Sequence, residues 1–175
     1  MITQTERTYL RYFLESDSAD LYEYLSKEDI YEYEPGAPIT RIEATRIAQD
    51  RANGKNFIAV IDRQTTKLIG HFSFFQSEPE YAKAFELGFI FNPLFQGKGY
   101  ATEAGKAFIE YCFNVLKAHR ITANCNPDNE KSWKLLERLG FVREGLLIKN
   151  IYFKKNEGKP IWLNTYIYGL VNDKD

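Results

Sequence analysis

The sequence predicts an α+β fold in one domain spanning residues 1–175: a mixed, mostly antiparallel sheet of about six to seven strands with helices on both faces. Three observations lead there. Seven short apolar or alternating segments read as strands, and four longer ones carry apolar residues at helical spacing. Their order is strand, two helices, three strands, helix, strand, helix, two strands, as expected of a mixed sheet. A chain of 175 residues buries one substantial core but is short for two, and neither a linker nor a repeat divides it.

Taken in order, Thr8 to Leu14 alternates as a first strand. Ser16-Asp17-Ser18 then offers an N-cap to a helix with Leu21, Tyr24 and Leu25 on one face. Glu28 to Pro38 holds Tyr31, Tyr33, Pro35, Gly36 and Pro38, which break a helix and suggest a structured loop with exposed rings. Thr40 with Glu43 makes a capping box, Ile47 and Ala48 extend an apolar face, and Asn53-Gly54 closes that helix. Phe57 to Ile61 and Leu68 to Phe75 form a hairpin around the polar turn Asp62 to Lys67. The next strand, Glu86 to Phe91, stops at Asn92-Pro93. From about Gly99 a long helix follows, with Ala104, Ala107, Phe108, Tyr111, Cys112, Val115 and Leu116 on its buried face. Ile121 to Cys125 is strand again, and the helical crossover favours parallel or nearly adjacent pairing with the preceding strand. Asn126 to Asn129 turns, Glu130 to Leu139 is a short helix and Gly140 stops it. Leu146 to Phe153 and Trp162 to Leu170 then make a second hairpin around KKNEGKP, a candidate dimer surface.

A formal net charge of -1 provides no overall basic field, so nucleic acid is not an expected partner. The opening MITQTERTYLRYF lacks a signal-peptide apolar run, and no segment approaches the roughly 20 apolar residues that cross a bilayer. The expected location is the cytoplasm, with no membrane partner. Cys112 and Cys125 have neither CxxC nor metal-ligand spacing and read as reduced thiols, with no metal site expected. Rings make up 15% of the chain; most belong in a core, which leaves some for a substrate groove.

The turn Gln96-Gly97-Lys98-Gly99-Tyr100-Ala101 carries the clearest chemistry, because it links an apolar strand directly to the long helix. Glycines let backbone N–H groups converge without Cβ obstruction, and the helix adds its unpaired first-turn donors and the positive end of its dipole. Such a turn holds an anion, most naturally a phosphate. Gly97-x-Gly99 followed by Ala101 and Thr102 fits neither a Walker loop nor a GxGxxG dinucleotide fingerprint.

Gln96-x-x-Gly99-x-Ala101 after a strand and before a helix resembles the pyrophosphate motif of the GNAT superfamily of N-acetyltransferases. The strand Glu86-Leu87-Gly88-Phe89, the segment NPDNEKSWKLLERLGFVREG and the opening TERTYLRYF extend the likeness to the RimJ/RimL-like branch. That branch acetylates protein N-termini and, in some relatives, polyamines or antibiotics. The resemblance implies a GNAT-like fold and acetyl-coenzyme A as cosubstrate. It places backbone groups of Phe89, Ile90 and Phe91 along the pantetheine arm, amides of Gly97, Lys98, Gly99, Tyr100, Ala101 and Thr102 on the pyrophosphate, and a backbone N–H near Phe91 on the thioester oxygen. Asn129 would bind the pantetheine and Ser132 would lie near the coenzyme sulfur as proton donor. A tyrosine acid found in many relatives falls here on Leu136. For the base, Glu86 at the strand start is the first candidate and His71 on the facing strand the second.

The reading of function is acetyl transfer to a primary amine, foremost a protein or peptide α-amine, by direct attack in a ternary complex. The alternatives are a small-molecule amine acetyltransferase, for which the acidic run Glu28, Asp29, Glu32 and Glu34 is suggestive, and a non-catalytic coenzyme A-binding module, for which Leu136 is.

Overall fold

Eight strands form one sheet in the computed structural model, which describes residues 1–172. They are β1 (Thr3–Gln4), β2 (Thr8–Tyr12), β3 (Phe57–Asp62), β4 (Leu68–Gln76), β5 (Ala84–Phe91), β6 (Arg120–Cys125), β7 (Val142–Ile151) and, after a small ribbon of β8 (Lys155–Asn156) and β9 (Lys159–Pro160), β10 (Leu163–Val171). Their spatial order is β1-β2-β3-β4-β5-β6-β10-β7, and every neighbouring pair is antiparallel except β5–β6. Four helices cover the sheet: α1 (Ser18–Leu25), α2 (Arg41–Ala52), α3 (Tyr100–Asn114) and α4 (Glu130–Arg138).

The two faces bury different cores, as period-2 alternation requires. On one, Leu21, Tyr24 and Leu25 of α1 and Ala48 of α2 pack on Ala59, Ile61 and Leu68. On the other, Phe108 and Cys112 of α3 and Leu135 and Leu136 of α4 pack on Phe72, Leu87 and Ile121. Phe72 is central there, edge-on to Phe91 at 5.7 Å and stacked on Phe108 at 5.1 Å. Placing helices on both faces leaves the sheet as a wall with two separately furnished sides.

One pairing stops early. β4 follows β5 to Gly70↔Phe91, but β6 stays with β5 only over Ala84↔Arg120, Phe85↔Ile121 and Glu86↔Thr122. Beyond Glu86 the parallel strands part, and the far edge of β5 faces an open wedge.

Several boundaries differ from those the sequence predicts. The sheet gains β1, too short at Thr3–Gln4 to show alternation, and the β8–β9 ribbon lies in what the sequence offered as a hairpin turn. β7 begins at Val142 and ends at Ile151, rather than running from Leu146 to Phe153. α3 ends at Asn114, so Val115 and Leu116 are exposed rather than part of its buried face; Gly105 and Ile109 are buried within the helix. Asp17 takes the N-cap position of α1, but its side chain makes no capping bond: the carboxylate is held by Arg11 at 2.7 and 2.8 Å and by Leu14 N. The Glu28–Glu32 stretch is a 3-10 turn whose Tyr31 is buried, its hydroxyl donating to Leu25 O at 2.9 Å, rather than an exposed ring. The Thr40–Glu43 capping box is present as expected.

Gly70 allows Phe91 to close the core at the base of the wedge. A Cβ there would sit 2.5 Å from the Phe91 ring and 2.8 Å from Ile90 O, and the backbone atom cannot step aside. Gly70→Ala should therefore destabilise the chain by about 1–3 kcal/mol by overpacking, read as a lower urea midpoint with an unchanged m-value; an unchanged midpoint would remove this account.

Candidate active site

The site is built from the end of β5 outward. Asn92 N donates to Ile69 O at 2.9 Å, the last bond of the β4–β5 ladder. Bonding direction alternates along an antiparallel strand, so Glu86, Gly88 and Ile90 bond toward β4, while Leu87, Phe89 and Phe91 turn their backbone groups to the wedge. Gln96 confirms the direction by donating Nε2 to Phe91 O at 2.9 Å. Of the strand residues predicted to meet a pantetheine arm, Phe89 and Phe91 thus face the opening. Ile90 does not: its backbone belongs to the ladder opposite His71, and its side chain packs toward the α1–α2 core.

Beyond Asn92, whose Oδ1 accepts from Leu94 N, the chain enters the glycine turn. Gly97 and Gly99 adopt φ of +71° and +83°, a left-handed conformation that side chains disfavour. A Cβ on Gly97 would meet nothing within 4 Å, so backbone conformation rather than crowding calls for glycine there. Gly99 is the N-cap of α3 and no side chain caps the helix, which leaves its first-turn N–H groups available. They border a cleft of about 610 Å³ whose lining includes Gln96, Gly97, Thr102, Lys106 and Arg138. Tyr100 and Ala101 also line it. The Lys98 side chain does not line it; its Nζ donates to Leu94 O at 2.8 Å.

Asn129 and Ser132 stand on α4. Asn129 Oδ1 accepts from Ser132 N at 3.2 Å and caps the helix, and Lys131 Nζ approaches Gln96 Oε1 at 3.5 Å, tying α4 to the turn. The Ser132 hydroxyl hydrogen-bonds the Cys125 thiol at the end of β6; burial pushes that thiol up to about 11. Glu86 lies where β5 and β6 part, exposed, with Asn124 Nδ2 donating to it at 3.2 Å. His71 is placed differently. It is buried under α1, with Nδ1 2.7 Å from the Tyr24 hydroxyl, and desolvation, helped by the nearby Arg51 charge, lowers its pKa well below the usual value. The turn, Asn129 and Ser132 therefore come together, Glu86 marks the point from which the wedge opens, and His71 is walled off as a neutral imidazole.

A model of the acetyltransferase (GNAT) domain matches residues 7–142. The chain belongs to the GNAT acetyltransferases. It is 34% identical over 171 residues to the N-acetyltransferase YnaD of Bacillus subtilis, a match covering 97% of this chain and 96% of that one. A crystal structure of a GNAT-family acetyltransferase from Bacillus anthracis superposes with a TM-score of 0.87 at 30% identity, covering 96% of each chain. The ribosomal-protein-S5-alanine acetyltransferase of Vibrio fischeri superposes with a TM-score of 0.80 at 26% identity, covering 98% of this chain and 96% of that one.

This GNAT chain is accordingly an acetyltransferase that uses acetyl-coenzyme A, and its residues suit that cosubstrate. The unpaired edge of β5 matches an extended amide-bearing arm, and the uncapped helix end beside left-handed glycines matches a diphosphate.

Sequence reasoning missed Lys106 and Arg138, which carry no motif and reach the cleft only because α3 and α4 pack together. It also passed over Glu34 as one member of an acidic run. Glu34 is half-buried in the loop before α2, and burial without a charged partner pushes its carboxyl up to about 7. The adjacent Tyr33, raised first by its hydrogen bond with Glu32, also feels Asp128, which brings this loop toward the start of α4.

The sign of the Glu34 effect on stability follows by linkage. Between the ordinary carboxyl value of 4.5 and about 7, the unfolded chain has released a proton that the folded chain still holds. This group's contribution is therefore present below the ordinary value and is lost as pH rises through that window. Urea midpoints of the wild type should fall from pH 5 to pH 7.5 relative to those of Glu34→Gln; parallel curves would show that Glu34 is ordinarily solvated.

Proposed function

We propose that the chain acetylates the α-amine of a protein or peptide N-terminus, by direct attack within a ternary complex. The observation that carries this reading is the wedge opened at Glu86, with a carboxylate where the strands part and an uncapped glycine turn at its far end. The acceptor class draws support from the likeness to the S5-alanine acetyltransferase. It also draws on Leu136, which lies fully buried where an acid tyrosine would stand in the polyamine-acetylating relatives. Acetyl-coenzyme A supplies the acetyl group as a thioester.

Within that frame, backbone groups of Phe89 and Phe91 align the pantetheine arm, and amides from Gly97 to Thr102 hold the diphosphate. A wedge-facing main-chain N–H of β5 faces the thioester oxygen; main-chain donors of this kind are worth about 3 kcal/mol of transition-state stabilisation. Glu86 removes the ammonium proton directly or through a water, and Ser132 returns a proton to the departing sulfur. Asn129 orients the arm beside it. His71 is given no proton-transfer role, because its burial resists the charged form. The setting is cytoplasmic, a reading supported by Cys112 and Cys125, both buried as free thiols.

Coenzyme A release should accompany incubation with acetyl-coenzyme A and peptides bearing free N-terminal alanine or serine, and be much slower with spermidine or an aminoglycoside. Glu86→Gln should lower kcat by about 10²- to 10⁴-fold with KM for acetyl-coenzyme A held. Turnover on the small amines alone would replace the acceptor assignment, and an undiminished kcat would relieve Glu86 of its role.

The outer strand β7 is open along its free edge and exposes Val142, Leu146, Leu147 and Ile148, which supports a homodimer through that strand. Sedimentation velocity should then give a dimer that Leu147→Lys dissociates; a monomeric wild type would rule this out.

A further inference from the structure

A diphosphate-binding helix end is an unexpected place for a carboxylate, yet Glu103 sits in the first turn of α3 and lines the same cleft. Left alone, it would oppose the helix dipole's attraction for an anion. It is not left alone. Arg7, in the loop between β1 and β2, reaches across the sheet edge: its Nε donates to Glu103 Oε2 at 2.6 Å, its Nη2 also lies 2.6 Å from Oε2, and its own backbone N–H donates to Oε1 at 2.9 Å. Thr5 Oγ1 completes the set at 2.5 Å from Oε1. Burial opposes the charge on Glu103, but these donors outweigh it and hold the carboxyl below its usual value.

The same guanidinium makes one more bond, from Nη1 to Lys98 O at 3.0 Å. Across a trans peptide the C=O and N–H point in opposite directions. Fixing Lys98 O toward Arg7 therefore turns Gly99 N–H away from Arg7, and Gly99 lines the cleft while Arg7 does not. The Arg7 guanidinium also stacks 4.6 Å from the ring centroid of Tyr100, the first residue of α3. Arg7 thus contacts Lys98, Tyr100 and Glu103, which bracket the glycine turn, without lining its anion cleft.

We propose that Arg7 is a positioning residue for the diphosphate of acetyl-coenzyme A: it locks the Lys98–Gly99 peptide with its N–H toward the anion and neutralises Glu103 at the cleft wall. The inference rests on the placement of the diphosphate at the Gly97–Thr102 turn. It gives a role to the opening Thr5-Glu6-Arg7 segment that lies outside catalysis and outside contact with the ligand. Its distinguishing consequence is that the cost of losing Arg7 comes partly from Glu103, so that removing the carboxylate as well gives part of it back.

The test uses the full chain and steady-state kinetics with two donors, acetyl-coenzyme A and acetyl-pantetheine, which lacks the diphosphate. Arg7→Ala should raise KM for acetyl-coenzyme A by about tenfold or more, the scale of a charge-assisted hydrogen bond, and leave kcat within about twofold. KM for acetyl-pantetheine should not move. Arg7→Lys, which retains the charge but loses the planar fork, should fall between wild type and Arg7→Ala, and it covers the case in which the alanine variant folds poorly. Arg7→Ala/Glu103→Gln should bind acetyl-coenzyme A more tightly than Arg7→Ala. Equal losses with both donors, or a double variant no better than the single one, would overturn the proposal. Gly99→Asp separates the two levels: if it abolishes the diphosphate advantage while Arg7→Ala changes nothing, the clamp alone fails, and if it has no effect, the placement of the diphosphate fails and takes the clamp with it.

Discussion

The structure depends on parallel strands that separate after three paired residues. A continuous β5–β6 ladder would satisfy the backbone of Leu87, Phe89 and Phe91 internally and leave no slot for a ligand. Because β4 holds the other edge of β5 along its length, the strand stays extended and rigid where its outer groups are unpaired. Unpaired strand edges are ordinarily a liability. Here the open edge adjoins the sheet face packed by α3 and α4, and under the proposed function it takes a ligand whose amides continue the ladder. Phe72 and Phe91 brace its base, so the core on that face and the binding slot share one set of rings.

The turn that follows converts strand direction into helix direction and concentrates donors as it does so. Gln96 reaches back to Phe91 O, Asn92 caps the entry, and the two left-handed glycines swing the chain into α3. Each link fixes backbone orientation. Arg7 belongs to the same economy of means, acting from outside on the carbonyl and carboxylate that border the site. Under the proposed function, recognition at this end of the molecule rests largely on main-chain geometry, with Lys106 and Arg138 lining the same cleft.

That explains which parts were legible in the sequence. Glycines at fixed spacing between an apolar strand and an amphipathic helix leave a pattern, as do the capping box at Thr40 and the alternation of β3 and β4, so the fold and the position of the glycine turn could be read directly. The splay after Glu86 could not, because register is decided by pairing with residues far along the chain. Ile90 illustrates the loss: the resemblance put its backbone along the slot with its neighbours, and only the position of the last ladder bond assigns it to the other side. Glu34 and Arg7 were silent for a related reason. A carboxyl's environment and a guanidinium's reach are tertiary facts, and an acidic run or an opening TER carries no periodicity that reveals them.

His71 brings the same distinction to catalysis. Beneath α1 the fold buries the Arg51 guanidinium, with Nη1 lacking any hydrogen-bond partner and the group seated over the Phe57 and Phe13 rings at 4.1 and 5.2 Å. Ring faces offset a desolvated cation by about 2 kcal/mol, less than the several kcal/mol that burial of an unpaired charge costs, so a second positive charge beside it would be strongly disfavoured. Desolvation and this neighbour together hold His71 neutral, and its Nδ1 is already engaged with Tyr24. An imidazole that resists protonation is a poor acceptor for an ammonium proton. Under the proposed function, proton removal therefore falls to a carboxylate, and Glu86 stands where the strands part.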